Sequence, residues 1–322
     1  MKKLIVHMGA HRCASSATQA LLRRNRGEIE AQNVALYLRE DLASEAQKMP
    51  VNRLYEYRFW KPSSQMAVAR ISATLATLPA DTILISEENL MGIMPGHLGH
   101  GFYEKFDQFC RALSRLKKAA EVHPRLIVRR QDNFIESAYG FRVAFGLRED
   151  FKDFAARFKP GEMSWHRMAT AFERHGIDEH AKIDVLEAWP QDGKTDHLLR
   201  FLELEGLTLE GGGLRSGNSR FGEDGLSLLL AMNRTGMGLD IAWRRDVLFP
   251  ALRKADKPTP ELVQDLLGAG DYEIAVLKAA LAMPMRFTFT GDERQALVSD
   301  LKAENARFLN HPLVGLSREV WA

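Results

Sequence analysis

Two hydrophobic patterns alternate along this 322-residue chain, and that alternation constrains its fold more than any other feature. Residues 4–8, 82–86 and 125–129 are short apolar runs without the polar alternation of a strand that has one wet face. Between them the periodicity is helical. From Ser15 onward Ala17, Ala20 and Leu21 share one helix face, and Arg23, Arg24 and Arg26 share the other. Residues 102–118 read as a helix, as do residues 132–145, where Phe134, Ala138, Phe141 and Phe145 recur at helical spacing. Strands without polar alternation, separated by helices, predict a parallel sheet covered on both faces. Residues 33–38 and 181–186 are further strand candidates, and residues 42–78 read as mostly helical with a break at Pro62.

Beyond residue 210 a triple glycine, Gly211-Gly212-Gly213, precedes mainly helical sequence. Thr290 and Glu293 have the spacing of a capping box that opens the last helix. The expected organisation is one α/β domain, with a core over residues 1–210 and a mainly helical cap over residues 211–322.

Composition narrows the function classes. The chain is 45% hydrophobic and 27% charged, as ordinary globular proteins are. Lysine plus arginine number 44 against 42 acidic residues, so the net charge of +2 predicts no nucleic-acid partner. The two cysteines, Cys13 and Cys110, form neither a disulfide framework nor a zinc pattern; we expect no metal and a reducing, cytoplasmic setting. His7, His11 and Arg12 interrupt the apolar start, which argues against a secretory leader. No apolar run is long enough to predict a membrane span.

Residues 7–16 are the most informative segment: a strand end, a loop of small residues and a helix start. Gly9, Ala10, His11, Arg12, Cys13, Ala14, Ser15 and Ser16 are candidates for holding a phosphate or sulfate. Such a turn gathers backbone N–H groups at the positive end of a helix dipole. Arg12 adds a fixed charge, and Ser15 and Ser16 add hydroxyls. The competing reading is a plain strand–turn–helix corner whose serines only cap the helix. The loop lacks the second glycine and the Lys-Ser/Thr pair of a Walker A motif, and it is not GxGxxG.

A second candidate anion site follows the strand at residues 125–129. Arg129 leaves the strand and Ser137 lies in the next helix, at the sheet edge where ligands sit in open α/β folds. A guanidinium and a hydroxyl suit a phosphate. The alternative is that Arg129 and Arg130 are solvated or pair with Asp132 or Glu136. Glu87, at the end of the strand at residues 82–86, is the candidate general base, with Glu88 as the other carboxylate. Its competing role is an ion pair with Arg12 or Arg129. His97 and His100 lie in a glycine-rich loop within reach of the site, with no further metal ligands nearby. Tyr55, Tyr57, Phe59 and Trp60 either line an acceptor pocket or pack.

Together these motifs resemble the sulfotransferases that use 3′-phosphoadenosine 5′-phosphosulfate, in particular a bacterial branch that opens on a strand, His, a hydrophobic residue and Gly. Where that branch has Lys-Thr-Gly-Thr-Thr, this chain has Arg12-Cys13-Ala14-Ser15-Ser16. The stretch Arg129-Arg130-Gln131-Asp132-Asn133-Phe134-Ile135-Glu136-Ser137-Ala138-Tyr139 is similar throughout. Weaker similarities lie at residues 85–90, at Asn218-Ser219, and at Glu304-Asn305-Ala306-Arg307. The resemblance implies an α/β fold with a P-loop-type parallel sheet flanked by helices. It implies that the first loop wraps the 5′-phosphosulfate, that Arg129 and Ser137 hold the 3′-phosphate, and that a basic loop around Arg215, Asn218 and Arg220 closes over the nucleotide. The implied activity moves a sulfuryl group from this co-substrate, without a metal, to a hydroxyl or amine of a carbohydrate or small-molecule acceptor. Arg12 stands where the family's lysine helps the leaving phosphate depart. Ala14 stands at a glycine position, where a positive φ would cost an alanine about 1 kcal/mol. The alternatives are a non-catalytic nucleotide- or anion-binding protein on the same fold and, against the missing Walker pair, a P-loop kinase.

Overall fold

The computed structural model describes residues 1–44, 49–51, 54, 58, 60–97, 101–214, 221–315 and 320–321. The candidates Tyr55, Tyr57, Phe59, His100, Arg215, Asn218 and Arg220 lie outside the described residues.

The apolar runs form five strands: β1 (Lys2–Gly9), β2 (Val34–Tyr37), β3 (Thr82–Ser86), β4 (Ala120–Val128) and β5 (Lys182–Val185). They make one all-parallel sheet in the order β2-β3-β1-β4-β5. β1 is central because its side chains suit no wetter place. Leu4, Ile5, Val6 and Met8 have no exposed surface. Burying each contributes about 2 kcal/mol. The register sets Leu4 beside Ile83 of β3 and Val122 of β4, and His7 beside Ser86 and Arg125.

The chain divides into two compact units. The first comprises Met1–Gln131, Pro160–Asn218 and Leu297–Ala322 and holds the whole sheet. Its helices are α1 (Ser15–Arg24), α2 (Arg26–Ala31), α3 (Arg39–Ser44), α4 (Pro62–Thr77) and α5 (Phe106–Leu116). A helix α6 (Gln131–Ala144) begins at its border, and α7 (Phe151–Ala155) belongs to the second unit. The first unit continues with α8 (His166–Arg174) and α9 (Lys194–Phe201). The second unit, Asp132–Lys159 with Ser219–Ala296, is helical. It adds α10 (Glu223–Thr235) and α11 (Ile241–Trp243), which runs through a π-helical turn (Arg244–Leu248) into α12 (Phe249–Lys254). Then come α13 (Pro260–Leu267), α14 (Asp271–Leu281) and the start of α15 (Gly291–Leu309). Thus residues 132–159 group with the later helices, and the end of α15 groups with the sheet.

Loop and helix-end carbonyls receive a buried amide in the second unit. Asn233, fully buried on α10, donates to the carbonyls of Val143 at 2.7 Å and Leu147 at 2.6 Å. Arg294 of α15 pairs with both Asp132 and Glu136 of α6. The capping box is present: Glu293 accepts from Thr290 N–H at 2.9 Å, and Thr290 Oγ1 accepts from Glu293 N–H at 3.3 Å.

Two boundaries differ from the sequence reading for steric reasons. β4 begins at Ala120, not at residue 125, and runs through Pro124. Proline lacks the N–H a sheet interior needs on both sides. β5 starts pairing only at Arg125, so Pro124 has a strand neighbour on one side alone, β1. Pro62, read as a break, is the first residue of α4, where a missing N–H costs nothing.

His7 gives the core a pH dependence. It is buried on β1, its Nδ1 lies 2.8 Å from Ser86 Oγ, and its Nε2 has no partner among the described residues. Burial pushes its pKa down to about 4. The unfolded chain takes up this proton near pH 6.5. Stability is therefore complete above pH 6.5, falls as the pH drops, and levels off below about 4. Urea titrations at several pH values should show a loss of roughly 3 kcal/mol over that window, and His7→Gln should flatten it. Thr290→Ala should cost about 1 kcal/mol at any pH.

Candidate functional site

The chain leaves β1 at Gly9 and enters α1 at Ser15 within a few residues. Gly9 is favoured by close approach: a Cβ there would stand 3.1 Å from the Cβ of Ser15, which would have to give by a few tenths of an ångström. Ala10 N–H still donates to Ile127 of β4 at 2.8 Å, so the loop is tied to the sheet. Arg12 and Ala14 then adopt left-handed backbone, with φ of 68° and 62°, while Cys13 between them does not. Each such residue without a glycine costs roughly 1–2 kcal/mol. Alternation of this kind turns successive N–H groups into a concave anion-binding nest. Residue 14 does sit at positive φ, the condition under which an alanine there is disfavoured.

The serines do not cap α1 in the expected sense. Ala14 occupies the N-cap position and offers no side-chain acceptor. Ser15 and Ser16 are the first two helical residues, Ser15 buried and Ser16 exposed. The N–H groups of Ala14, Ser15, Ser16 and Ala17 find no acceptor among the described residues. Thr18 N–H is the first to bond, to Ala14 O at 2.9 Å. Cys13 faces inward with no exposed surface, and burial raises its thiol pKa, so it serves the loop as backbone and core.

His11 is held on every side. Its N–H donates to the Tyr103 hydroxyl at 2.8 Å, and its Nδ1 lies 3.2 Å from the same oxygen. Its Nε2 lies 3.3 Å from Asn89 Oδ1. Burial lowers the pKa of His11, so it is neutral, with Nε2–H donating to Asn89 and Nδ1 accepting from Tyr103. Asn89 in turn donates from Nδ2 to Glu87 Oε1 at 2.6 Å and from its backbone N–H at 2.9 Å. One chain of hydrogen bonds thus joins the loop to Glu87.

Glu87 ends β3 and caps the 3-10 turn Glu88–Met91. It is 3% exposed, and burial raises its pKa. Its Oε2 lies 3.9 Å from Arg39 Nε of α3. Its arginine partner is therefore Arg39, not Arg12 or Arg129. Glu88 accepts from Gln19 at 2.7 Å and lies 3.5 Å from Arg39.

Arg129 follows β4 and reaches the same loop: its Nη1 donates to Arg12 O at 3.1 Å. Its Nε lies 3.7 Å from Glu187, on the 3-10 turn (Leu186–Ala188) after β5. Glu187 also accepts the Arg130 N–H at 3.1 Å. Ser137 lies in the second unit, on α6. Gly211 and Gly213 rest on the far end of α1, where Arg24 donates to their carbonyls at 3.1 Å and 2.8 Å.

Tyr103, Trp165, Glu187 and Arg39 escaped the sequence reading. Tyr103 stacks on His11 at 5.9 Å, and Trp165 donates to Arg129 O at 2.9 Å, so an aromatic pair braces both loops. The only signal was that Tyr103 follows the glycine-rich loop already suspected of reaching the site. Trp60 is 64% exposed.

Two substitutions test this geometry. Ala14→Gly should leave stability unchanged or raise it by up to about 1 kcal/mol, against the usual loss for glycine. Glu87→Gln should stabilise the protein at pH 7 in urea titrations. The raised pKa of Glu87 means that folding bears an ionisation cost above its unfolded value of about 4.3. The gain should shrink to nothing as the pH falls below that value.

No protein-family model matches this chain, and no curated protein and no solved structure matches it either.

Proposed function

We propose that this protein binds an adenosine nucleotide at the loop between β1 and α1 and is a sulfotransferase. The observation that carries the reading is the loop itself: two non-glycine residues in left-handed backbone, at the start of a run of four N–H groups without acceptors among the described residues. Strain of this kind persists only where surrounding structure enforces it, and it gathers at ligand sites. The helix dipole favours an anion at the same point. The strand order adds support: the chain leaves β1 toward β2 and leaves β4 the other way, toward β5, which opens a crevice at the carboxyl edge. A P-loop-type sheet has this arrangement.

In this reading the 5′-phosphosulfate of 3′-phosphoadenosine 5′-phosphosulfate lies on the N–H groups of residues 14–17, with Arg12 beside the bridging oxygen. Arg129 and Ser137 take the 3′-phosphate. The acceptor hydroxyl or amine of a carbohydrate or small molecule attacks sulfur and the S–O bond to phosphate breaks. Glu87 takes the acceptor's proton. Its raised pKa brings it closer to neutrality than an ordinary glutamate, as a general base requires. Arg12, permanently charged, stabilises the departing phosphate without donating a proton. No metal enters the step.

A second reading, binding without transfer, is favoured by Arg12 in the lysine position and by Glu187, whose carboxylate lies 3.7 Å from Arg129. Turnover that stays absent in Arg12→Lys, with binding intact, would select it.

Adenosine 3′,5′-bisphosphate at 100 times its Kd should stabilise the protein by about 2.7 kcal/mol, seen as a rise in Tm. Ser137→Ala should reduce the rise. Glu187→Gln should tighten binding several-fold, because one negative charge beside Arg129 is removed. No rise in Tm at millimolar nucleotide would refute the proposal.

A further inference from the structure

A separate group of chemistry-bearing side chains lies at the opposite edge of the sheet, where β4 begins. Glu121 and His123 are two apart on β4 and so share one face of the strand. His180 stands just before β5. Ligand atoms of these three residues all lie within 4.8 Å of one another. Glu121 Oε1 is 2.6 Å from His123 Nε2 and 3.3 Å from His180 Nε2. Glu179 brings another carboxylate to 3.7 Å from His180 Nε2.

Behind His123 stands Glu203. Its Oε1 is 2.8 Å from His123 Nδ1, and it is fixed by Lys3 at 2.6 Å and by the buried Arg125. Glu203 holds this place in left-handed backbone, with φ of 57°. A carboxylate so placed accepts Nδ1–H. His123 Nε2 then faces the Glu121 oxygen, and two electron-rich atoms 2.6 Å apart need a positive centre between or beside them. A carboxylate behind the ring, with the other nitrogen turned toward further ligand atoms, is the arrangement by which metal-binding histidines are oriented.

We propose that Glu121, His123 and His180 bind a divalent transition-metal ion, best zinc, with Glu203 orienting His123. Two imidazoles and one carboxylate suit zinc and not calcium or magnesium, which take oxygen ligands. Ligands at zinc distances in a tetrahedron stand about 3.3 Å apart. The Glu121–His180 separation already has that value. The Glu121–His123 pair opens by less than an ångström. The rings of His123 and His180 now stack with centroids 4.5 Å apart, so the His180 ring tilts out of the stack to coordinate. Its position in a partly exposed loop leaves room for that, and the fourth ligand position faces water. Spacing along the chain cannot show this group, since only the pairing of β4 with β5 brings residue 180 to residues 121 and 123.

The test is calorimetric titration of the untagged, chelator-treated protein with zinc chloride. One ion per chain is expected. His180→Ala and Glu121→Gln remove ligands at partly exposed positions, and far-UV circular dichroism checks that both fold. Each should weaken binding beyond the roughly 10–100-fold that an outer-shell change costs, and Glu203→Gln should fall within that range. No one-site binding, or a loss below about tenfold in either ligand variant, would overturn the proposal. The site is at the other sheet edge from the nucleotide loop, so either proposal can fail alone.

Discussion

Everything at the carboxyl edge depends on how the chain gets out of β1. That strand is paired on both sides, by β3 and by β4, and Ala10 is still bonded to Ile127 one residue past its end. The backbone therefore cannot drift sideways. It has to climb over the edge and start a helix at Ser15, and it does so with two residues in left-handed conformation. The cost is roughly 1–2 kcal/mol for each. It is met by the buried strand below and by the braces around the loop: Tyr103 and Asn89 on His11, and Arg129 on the carbonyl of Arg12.

The same braces set the electrostatics. Glu87 is buried beside the loop but reaches it through neutral groups, Asn89 and His11, so no ion pair fixes its charge from that side. Arg39, mostly exposed, lies between Glu87 and Glu88. Arg129 arrives with Glu187 alongside it. The edge thus carries both signs within a short span. In the proposed reading an anion gains from the N–H groups, and Glu187 competes with it for Arg129. That balance explains why the chain's net charge says little about this site.

How much of this was legible in the sequence follows from which signals are local. The strands were legible as apolar runs, and residues 82–86 were placed to the residue. The start of β4 was hidden by Pro124, because a proline argues against a sheet interior unless the neighbouring strand is known to begin later. The loop after β1 was legible because its glycine, small residues and helix start are contiguous. Glu87 was legible because strand ends in a parallel sheet share an edge. Arg39, Tyr103, Trp165 and Glu187 were not, since each meets the loop or its neighbours only through tertiary packing. The carboxylate beside Arg129, Glu187, and the arginine beside Glu87, Arg39, come from elements distant in sequence, so spacing along the chain could not name them.

The central claim is that the backbone N–H groups at the start of α1 receive an anionic end of a nucleotide. Amide chemical shifts of the isotopically labelled protein, followed during titration with adenosine 3′,5′-bisphosphate, test it directly. The account predicts that the largest saturable shifts fall on residues 12 and 14–17, and that they disappear when the loop is blocked by Ser15→Pro. Saturable shifts confined to other parts of the chain, or none at millimolar nucleotide, would contradict it.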